Sequence, residues 1–155
     1  MEAEKPDLSV IELSTAYFNS LQQPVSILPS YYFCDNEHDA NECAELVLAG
    51  IKKATASSLW WYELSREALP EVGDLSIVTN WTGEALCVIE VMNTEVTRFN
   101  EITPAFAELE GEGDKSLAYW KEVHWAFYSR ELADTKYSPS EDMPIVCEEF
   151  RVVYS

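Results

Sequence analysis

Three side chains that could take part in proton transfer lie close together in the sequence: Lys52, Lys53 and Thr55. A lysine amine can act as a base once burial disfavours its charged form, and a threonine hydroxyl becomes a nucleophile when a base removes its proton. A lysine just beyond a helix end also has a structural explanation, because it complements the negative end of the helix dipole. The spacing alone leaves both explanations open.

The residues around this group predict a helix followed by a strand. Asp39 precedes Glu42 by three positions, which is the spacing of a capping box, and Gly50 is suited to the left-handed conformation that ends a helix. Residues 54–59 are small, β-branched or hydroxylated, which favours a strand. We therefore expect the lysines at a helix-to-strand corner, where a rigid scaffold commonly presents reactive groups.

A second set of candidates lies on a helix predicted after Asp114. Trp120 and His124 fall on its apolar face, where a histidine is more often a hydrogen-bonded core or pocket residue than a general acid or base. Tyr128 and Ser129 follow about one turn later and could line the same pocket. Tryptophans such as Trp60 and Trp120 are usually core residues, although an exposed indole can stack on a nucleobase.

The other patterns predict an α+β fold with a small β-barrel or a strongly curved mixed sheet, flanked by helices. Residues 31–34 fit either an edge strand or an aromatic lining. The further strands are expected at residues 57–59, 75–79, 85–91, 95–99 and 145–154, and helices at 62–68 and 105–110. We expect one globular domain, residues 31–155, with an N-terminal helix and connector, residues 1–30, packed on it.

The composition restricts the partners. The 155 residues include 28 acidic and 10 basic ones, and the resulting formal charge of −18 repels phosphate, so duplex DNA is an unfavourable partner. The sequence contains no apolar run long enough to span a membrane and no secretory signal pattern, which predicts a cytoplasmic protein. The four cysteines lack the spacing of a zinc ribbon or a redox motif, so we expect reduced thiols, mostly in the core.

Residues 50–55, with the sequence GIKKAT, follow an apolar helix and precede a Gly-Asp pair at 73–74 that leads into a strand. In this arrangement the chain resembles the ASCH domain family, which is related to PUA-like RNA-binding domains. Residues 106–114, 117–120 and 124–125 support the resemblance, which spans about residues 31–154 and points to a branch with a longer N-terminal extension. It implies a PUA-like barrel flanked by helices.

The resemblance also implies a function. Some ASCH proteins are implicated in RNA binding, one branch has ribonuclease activity, and a short-chain branch hydrolyses the amide of N4-acetylcytidine. The hydrolase pattern maps its catalytic residues onto Lys52, Thr55 and Glu110, with no metal or other cofactor. Ser57 stands where those hydrolases often have an arginine, so the substrate stays open. The residues expected to contact a substrate are Lys53, Ser57, Trp60, Trp120, His124, Tyr128 and Ser129.

In the implied chemistry, Lys52 takes the proton of Thr55, whose oxygen attacks a carbonyl or positions water, while Glu110 stabilises the lysinium or passes a proton to the leaving amine. The expected partner is single-stranded RNA or a modified nucleoside. Glu110 also fits a solvated acidic run, and Lys53 fits a solvated or phosphate-contacting side chain. The alternatives are a non-catalytic RNA- or nucleotide-binding regulatory module and an acidic protein that binds a basic protein. The oligomeric state is left open.

Overall fold

The computed structural model describes residues 5–155, so the first four residues of the expected 1–30 segment lie outside the described residues. The helices are α1 (Leu8–Ser20), α2 (Glu37–Leu48), α3 (Leu59–Ser65), α4 (Pro104–Glu110) and α5 (Leu117–Glu131), with a short 3-10 helix at Phe99–Glu101. The strands are β1 (Ser30–Tyr31), β2 (Ala54–Ser58), β3 (Leu75–Thr79), β4 (Ala85–Arg98) and β5 (Pro144–Tyr154). The predicted α+β class is confirmed.

Within residues 5–155 the strands form a five-stranded sheet in the order β1-β3-β4-β5-β2. β1 runs parallel to β3, whereas β3 pairs antiparallel with β4 and β2 pairs antiparallel with β5. β1 and β2 are the edges, so the sheet is mixed and is not closed into a barrel. None of the helices in this part of the chain is both long and apolar enough to cross a membrane.

Backbone contacts divide the chain into two compact units. Unit 1 is drawn from residues 1–50, 73–90 and 151–155. Its core contains Val10 and Tyr17 of α1, Leu28 of the connector, Ile77 of β3 and Val88 of β4. Burial of these apolar side chains is the main stabilising term for α1, whose inward residues recur at helical spacing.

Unit 2 comprises residues 51–72 and 91–150. Strand β2 alternates buried and half-buried residues, and Ala56 pairs with Cys147 of β5 so that both enter the core. Helix α5 contributes Trp120 and Tyr128, and Met143 lies beside them with no exposed surface. The predicted apolar face of α5 is therefore its buried face.

Several predicted boundaries were wrong, among them the start of the strand predicted at residues 57–59, which begins at Ala54, and three helices start elsewhere because another side chain caps them. Helix α2 begins at Glu37, since the side chain of Asn36 caps it by accepting from the Asp39 N–H, and Asp39 becomes the third helical residue. Strand β2 ends at Ser58, whose hydroxyl caps α3, so this helix starts three residues before the predicted position 62. Helix α5 is capped by Ser116 rather than Asp114.

Strand β4 is the largest departure from the sequence prediction. Two strands were expected, at residues 85–91 and 95–99, but one continuous strand runs from Ala85 to Arg98. Residues 92–94 separate the two predicted strands, and in the structure Met92 and Asn93 are exposed. The side chains in the second half of β4 are largely exposed, but the backbone stays extended as far as Arg98.

Candidate functional site

The segment that carries Lys52 is held in place through its backbone. The Lys53 N–H donates to the Leu109 carbonyl at 2.7 Å, and the Lys53 carbonyl accepts from the Phe150 N–H at 3.0 Å. Gly111 ends α4 with φ of +72°, and a Cβ atom on it would lie 2.7 Å from the Ile51 carbonyl oxygen. Only glycine fits at this position without a shift of the backbone. The end of α4 therefore packs closely against Ile51, the residue before Lys52.

The Lys52 ammonium is buried and surrounded by oxygen atoms. Its Nζ donates to the Ala54 carbonyl at 2.8 Å and lies 3.5 Å from Oε2 of Glu110 and 3.8 Å from Oε1 of Glu112. Lys52 is 3% exposed and Glu110 is 1% exposed. Two carboxylates at these distances favour the ammonium form of an amine. Lys52 is therefore buried in a charged cluster that favours its charged form, and not in surroundings that would make its amine a base.

His124 joins this cluster from α5. Its Nε2 lies 3.1 Å from Oε2 of Glu110, and its Nδ1 lies 2.8 Å from the Trp120 carbonyl oxygen. Both neighbours are acceptors, so both ring nitrogens must donate to satisfy them, and this requires the imidazolium form. The ring stacks on the Trp120 indole with centroids 4.1 Å apart and an angle of 15° between planes.

The ionisation of the cluster follows from competition between burial and charge. Burial alone would raise the pKa of Glu110, but the positive charges of Lys52 and His124 outweigh it and lower this pKa to about 2. Burial alone would lower the pKa of His124, but Glu110 outweighs it and raises this pKa above its usual value. The arrangement stabilises an ionised carboxylate between two cations.

Thr55 does not join the cluster directly. It is half-buried on β2, opposite Glu148 of β5, and its neighbours Ala54 and Ala56 have the buried positions of that strand. Within the described residues the hydroxyl has no hydrogen bond to Lys52 or Glu110. The structure thus brings together Lys52 and Glu110 of the predicted catalytic set, whereas Thr55, three residues after Lys52, lies on β2 outside the cluster.

The predicted substrate contacts divide into buried and exposed groups. Tyr128 is fully buried and donates its hydroxyl to the Ala56 carbonyl at 2.9 Å. Trp120 is buried, and Trp60 is half-buried and stacks on Tyr137 with centroids 4.7 Å apart. These three aromatic residues belong to the core of unit 2 or pack against it.

The remaining predicted contacts lie outside this core. Lys53 is exposed, adjacent to the buried Lys52. Ser57 is half-buried and hydrogen-bonds with Tyr62, whose pKa is raised to about 12 by burial and by the charge of Glu148. Ser129 is exposed and donates to the Trp125 carbonyl of its own helix at 2.7 Å. The structure does not bring Ser129 to the charged cluster.

Glu112 is the member of the cluster that was not selected from the sequence. It was grouped with the solvated acidic run around Glu110, yet its carboxylate approaches the Lys52 ammonium. The glycines at 111 and 113 both have positive φ, +72° and +57°, and turn the chain at each side of Glu112. An acidic residue between two glycines is a signal that the run is not simply a solvated helix face.

Glu110, Glu112 and His124 could also be considered as metal ligands, since one potential ligand atom of each lies within 4.8 Å of the others. The Lys52 ammonium, however, already provides a cation 3.5 and 3.8 Å from the two carboxylates. A divalent ion would face repulsion from this ammonium and would require His124 to lose its proton. The donor set therefore fits an ammonium better than a metal ion.

Two buried polar atoms of the site have no hydrogen-bond partner among the described residues. They are Oε1 of Glu110, an acceptor, and Nε1 of Trp120, a donor. Buried polar groups are nearly always paired in folded proteins, and an unpaired one costs about 1–3 kcal/mol. The unpaired atoms are therefore candidates for contact with a ligand or water.

The open mixed sheet flanked by helices defines an α+β protein of the PUA-like class. A model of the ASCH domain family matches residues 29–154, and the chain belongs to this family, whose members generally bind RNA. An ASCH domain from Lactobacillus crispatus JV V101 is 38% identical, with a TM-score of 0.90 and 100% of both chains covered. A protein from Enterococcus faecalis V583 is 29% identical, with a TM-score of 0.87 over 94% of this chain and 88% of the other. No curated protein matches this sequence.

Proposed function

We propose that this ASCH protein binds single-stranded RNA or a modified nucleoside and hydrolyses it, with an acylated cytidine as the simplest substrate. The observation that carries the proposal is the buried cluster of Lys52, Glu110 and His124, in which one oxygen of Glu110 has no partner. Burying several charges is costly, and perturbed ionisable groups concentrate at functional sites. The family resemblance gives two members of this cluster, Lys52 and Glu110, as catalytic residues together with Thr55.

The proton needed by a leaving amine would come from His124. When an amide is hydrolysed, the carbon–nitrogen bond breaks and the nitrogen leaves with a proton, while the attacking water gives one up. Both N–H groups of His124 face acceptors, so its proton would reach the leaving nitrogen by way of Glu110, whose Oε1 has no partner, and the proton of the water would return by the same path, so that both groups are unchanged overall. Glu110 holds the imidazolium by its 3.1 Å contact, and the Lys52 ammonium would stabilise the negative charge that develops on the carbonyl oxygen.

The proposal changes the role that the resemblance gives to Lys52. Two carboxylates near its ammonium favour the charged form, so Lys52 is assigned to charge stabilisation rather than to proton abstraction. Thr55 keeps its proposed role as nucleophile or water-positioning group at the edge of the site. His124 and Glu112 are the most exposed members of the cluster, with side chains 11% and 17% exposed, so the substrate would approach from their side.

A non-catalytic RNA-binding module is the second candidate. The observation that favours it is the pair formed by Trp60 and Tyr137, which stack almost parallel at 4° and are both half-buried. Aromatic rings of this kind can stack on successive bases without reading their sequence, and Lys136 lies 5.2 Å from the Tyr137 ring centroid. Because few basic groups are available, binding to single strands would depend only weakly on salt.

The test is direct measurement of turnover on N4-acetylcytidine and on a single-stranded oligoribonucleotide, each with and without chelator. The informative variant combines Lys52→Met with Glu110→Leu, because replacing both members of a buried ion pair is often tolerated by the fold. We expect turnover to fall about 100-fold or more while the thermal melt stays cooperative. Lys53→Met is the matched control, since that side chain is exposed, and it should reduce turnover much less than the double variant.

The outcomes separate the two candidates. Wild-type turnover by the folded double variant would exclude the cluster as the catalytic site. Absence of turnover by the wild-type protein, together with oligonucleotide binding that is lost in Trp60→Ala, would establish the binding module instead. Binding in neither assay would favour the regulatory protein with a basic partner. The cytoplasmic location and the division into residues 1–30 and 31–155 stay predictions.

A further inference from the structure

Cys34 and Cys43 form a close thiol pair in unit 1. Their sulfur atoms are 3.6 Å apart, although the residues are separated by eight others in the sequence. A disulfide requires a sulfur–sulfur distance of about 2.05 Å, so the two atoms need to approach by roughly 1.5 Å. Side-chain rotation and small backbone shifts can provide a movement of this size.

The surrounding structure explains why the two thiols meet. Cys43 is on the buried face of α2 together with Ala40 and Val47, and it is 3% exposed. Cys34 lies in the segment between β1 and α2 and has φ of +68°. A residue with a side chain seldom adopts this left-handed conformation, and it persists only where the surrounding structure holds it.

The two cysteines differ in access to solvent in the way that a reactive pair requires. Cys34 is partly exposed, so a small oxidant can reach its sulfur, whereas Cys43 is buried directly beside it. The other two thiols are unlike either member of the pair. Burial raises the pKa of Cys87 to about 11 and that of Cys147 to about 12, so both are poor sources of the reactive thiolate at neutral pH.

We propose that Cys34 and Cys43 are a site of reversible oxidation, at which hydrogen peroxide converts the two thiols into a disulfide. The Cys34 sulfur attacks the peroxide, the oxygen–oxygen bond breaks, and one water leaves as Cys34 becomes a sulfenic acid. The Cys43 sulfur then attacks the Cys34 sulfur, forming the sulfur–sulfur bond and releasing the second water. In total, two thiols are oxidised and one peroxide is reduced to two waters.

The disulfide would close residues 34–43 into a loop at the start of α2. Small thiols would reopen it by exchange at the more exposed Cys34 sulfur. Neither cysteine is among the residues assigned to hydrolysis. The sequence signal of this pair was missed because a spacing of nine residues matches neither a zinc ribbon nor a redox motif.

The experiment uses the full chain, reduced and then treated with a small molar excess of hydrogen peroxide. We expect denatured protein to lose two of its four titratable thiols, and non-reducing peptide mapping to link Cys34 to Cys43. Dithiothreitol should restore all four. Cys87→Ala is the matched control and should still lose two thiols, whereas Cys34→Ser should lose none at the same peroxide dose.

The intermediate gives a second measurement. In Cys43→Ser, the sulfenic acid on Cys34 has no partner thiol and should be captured by dimedone, which adds a defined mass to the peptide that contains residue 34. The thiol count is measured on the wild-type protein, so a negative result there cannot be attributed to a misfolded variant. Retention of four thiols by peroxide-treated wild-type protein would overturn it, as would mapping that links Cys34 only to a second chain.

Discussion

Unit 2 differs from unit 1 in the charged side chains that it buries. The buried polar residues of unit 1 within the described chain are hydroxyl residues, such as Ser14, whose oxygen accepts from the Leu28 N–H at 3.1 Å. Unit 2 buries the hydroxyl residue Ser58, but it also buries Lys52, Glu110, His124 and Glu148. A hydroxyl is satisfied by a single hydrogen bond, whereas a buried charge needs an opposite charge and further hydrogen bonds.

This difference bears on the proposed role of the charged cluster in unit 2. A core that only needs to be stable is better built from apolar side chains, because a buried ion pair often contributes no more than hydrophobic residues of similar volume. Unit 2 nevertheless retains an ionised carboxylate with a pKa lowered to about 2. The comparison therefore supports the proposal that the charged cluster of unit 2 is the site of hydrolysis.

Loss of the central carboxylate should have the largest effect on stability. Glu110→Gln removes the negative charge that contacts both Lys52 and His124, leaving two buried cations near Glu112 alone. We expect the free energy of unfolding to fall by about 3–5 kcal/mol in urea titrations at neutral pH. A change below about 1 kcal/mol would mean that the cluster is not the buried ion network that distinguishes unit 2.

The pH dependence of stability tests the same cluster without a mutation. Because the pKa of Glu110 is lowered, its contribution is present above its ordinary value of about 4.5 and is lost as the pH falls towards 2. Because the pKa of His124 is raised, its contribution is complete below its ordinary value of about 6.5 and is lost as the pH rises through the folded-state value.

We therefore expect the stabilisation contributed by Glu110 and His124, measured in urea titrations, to be largest between about pH 4.5 and 6.5. His124→Gln is the matched variant, since it keeps a polar side chain but does not ionise. This variant should reduce the fall in the free energy of unfolding above about pH 6.5. If the free energy of unfolding falls as steeply in this variant as in the wild type, groups other than His124 cause the fall.

Removal of a buried hydroxyl from unit 1 should have an intermediate effect. Ser14→Ala leaves the Leu28 N–H without its acceptor, which should cost about 1–3 kcal/mol of unfolding free energy. Because no charge is lost, the cost should be the same at pH 5 and pH 8, unlike that of the cluster variants. A pH-dependent cost would contradict the contrast between the two cores.

The smallest effect is expected at Lys53. Its side chain is exposed and only its backbone is held, so Lys53→Met should change the free energy of unfolding by less than about 0.5 kcal/mol. The adjacent Lys52→Met should be clearly more destabilising, since it removes the ammonium between Glu110 and Glu112. If Lys52→Met and Lys53→Met lowered stability equally in thermal and urea unfolding, the two lysines would not differ in burial as described.

Much of the fold could be predicted from the sequence because it depends on neighbours along the chain. Strand β3 has the predicted bounds Leu75–Thr79, since its apolar residues lie between turn signals. The apolar spacing of α5 placed His124 on its buried face. The boundaries of α2 and α5 shifted where a second capping residue, Asn36 or Ser116, competed with the predicted one.

The candidate site could be predicted only in part. The family resemblance selected Lys52 and Glu110, which do pair, but it did not show that His124 and Glu112 complete their surroundings. Lys52 and Glu110 are 58 residues apart in the sequence, and no local propensity sets a distance of 3.5 Å between their charged atoms. That distance depends on how α4 packs against β2.

Thus the sequence by itself determined the types of element, the inward face of α5 and the residues able to carry charge. Only the tertiary structure decided which charges meet, which lysine is buried and that Cys34 lies beside Cys43. The physical reason is the distance along the sequence over which each interaction acts. Hydrogen bonds of caps and the periodicity of apolar residues act over a few positions, whereas desolvation and ion pairing depend on residues brought together by packing of the whole chain.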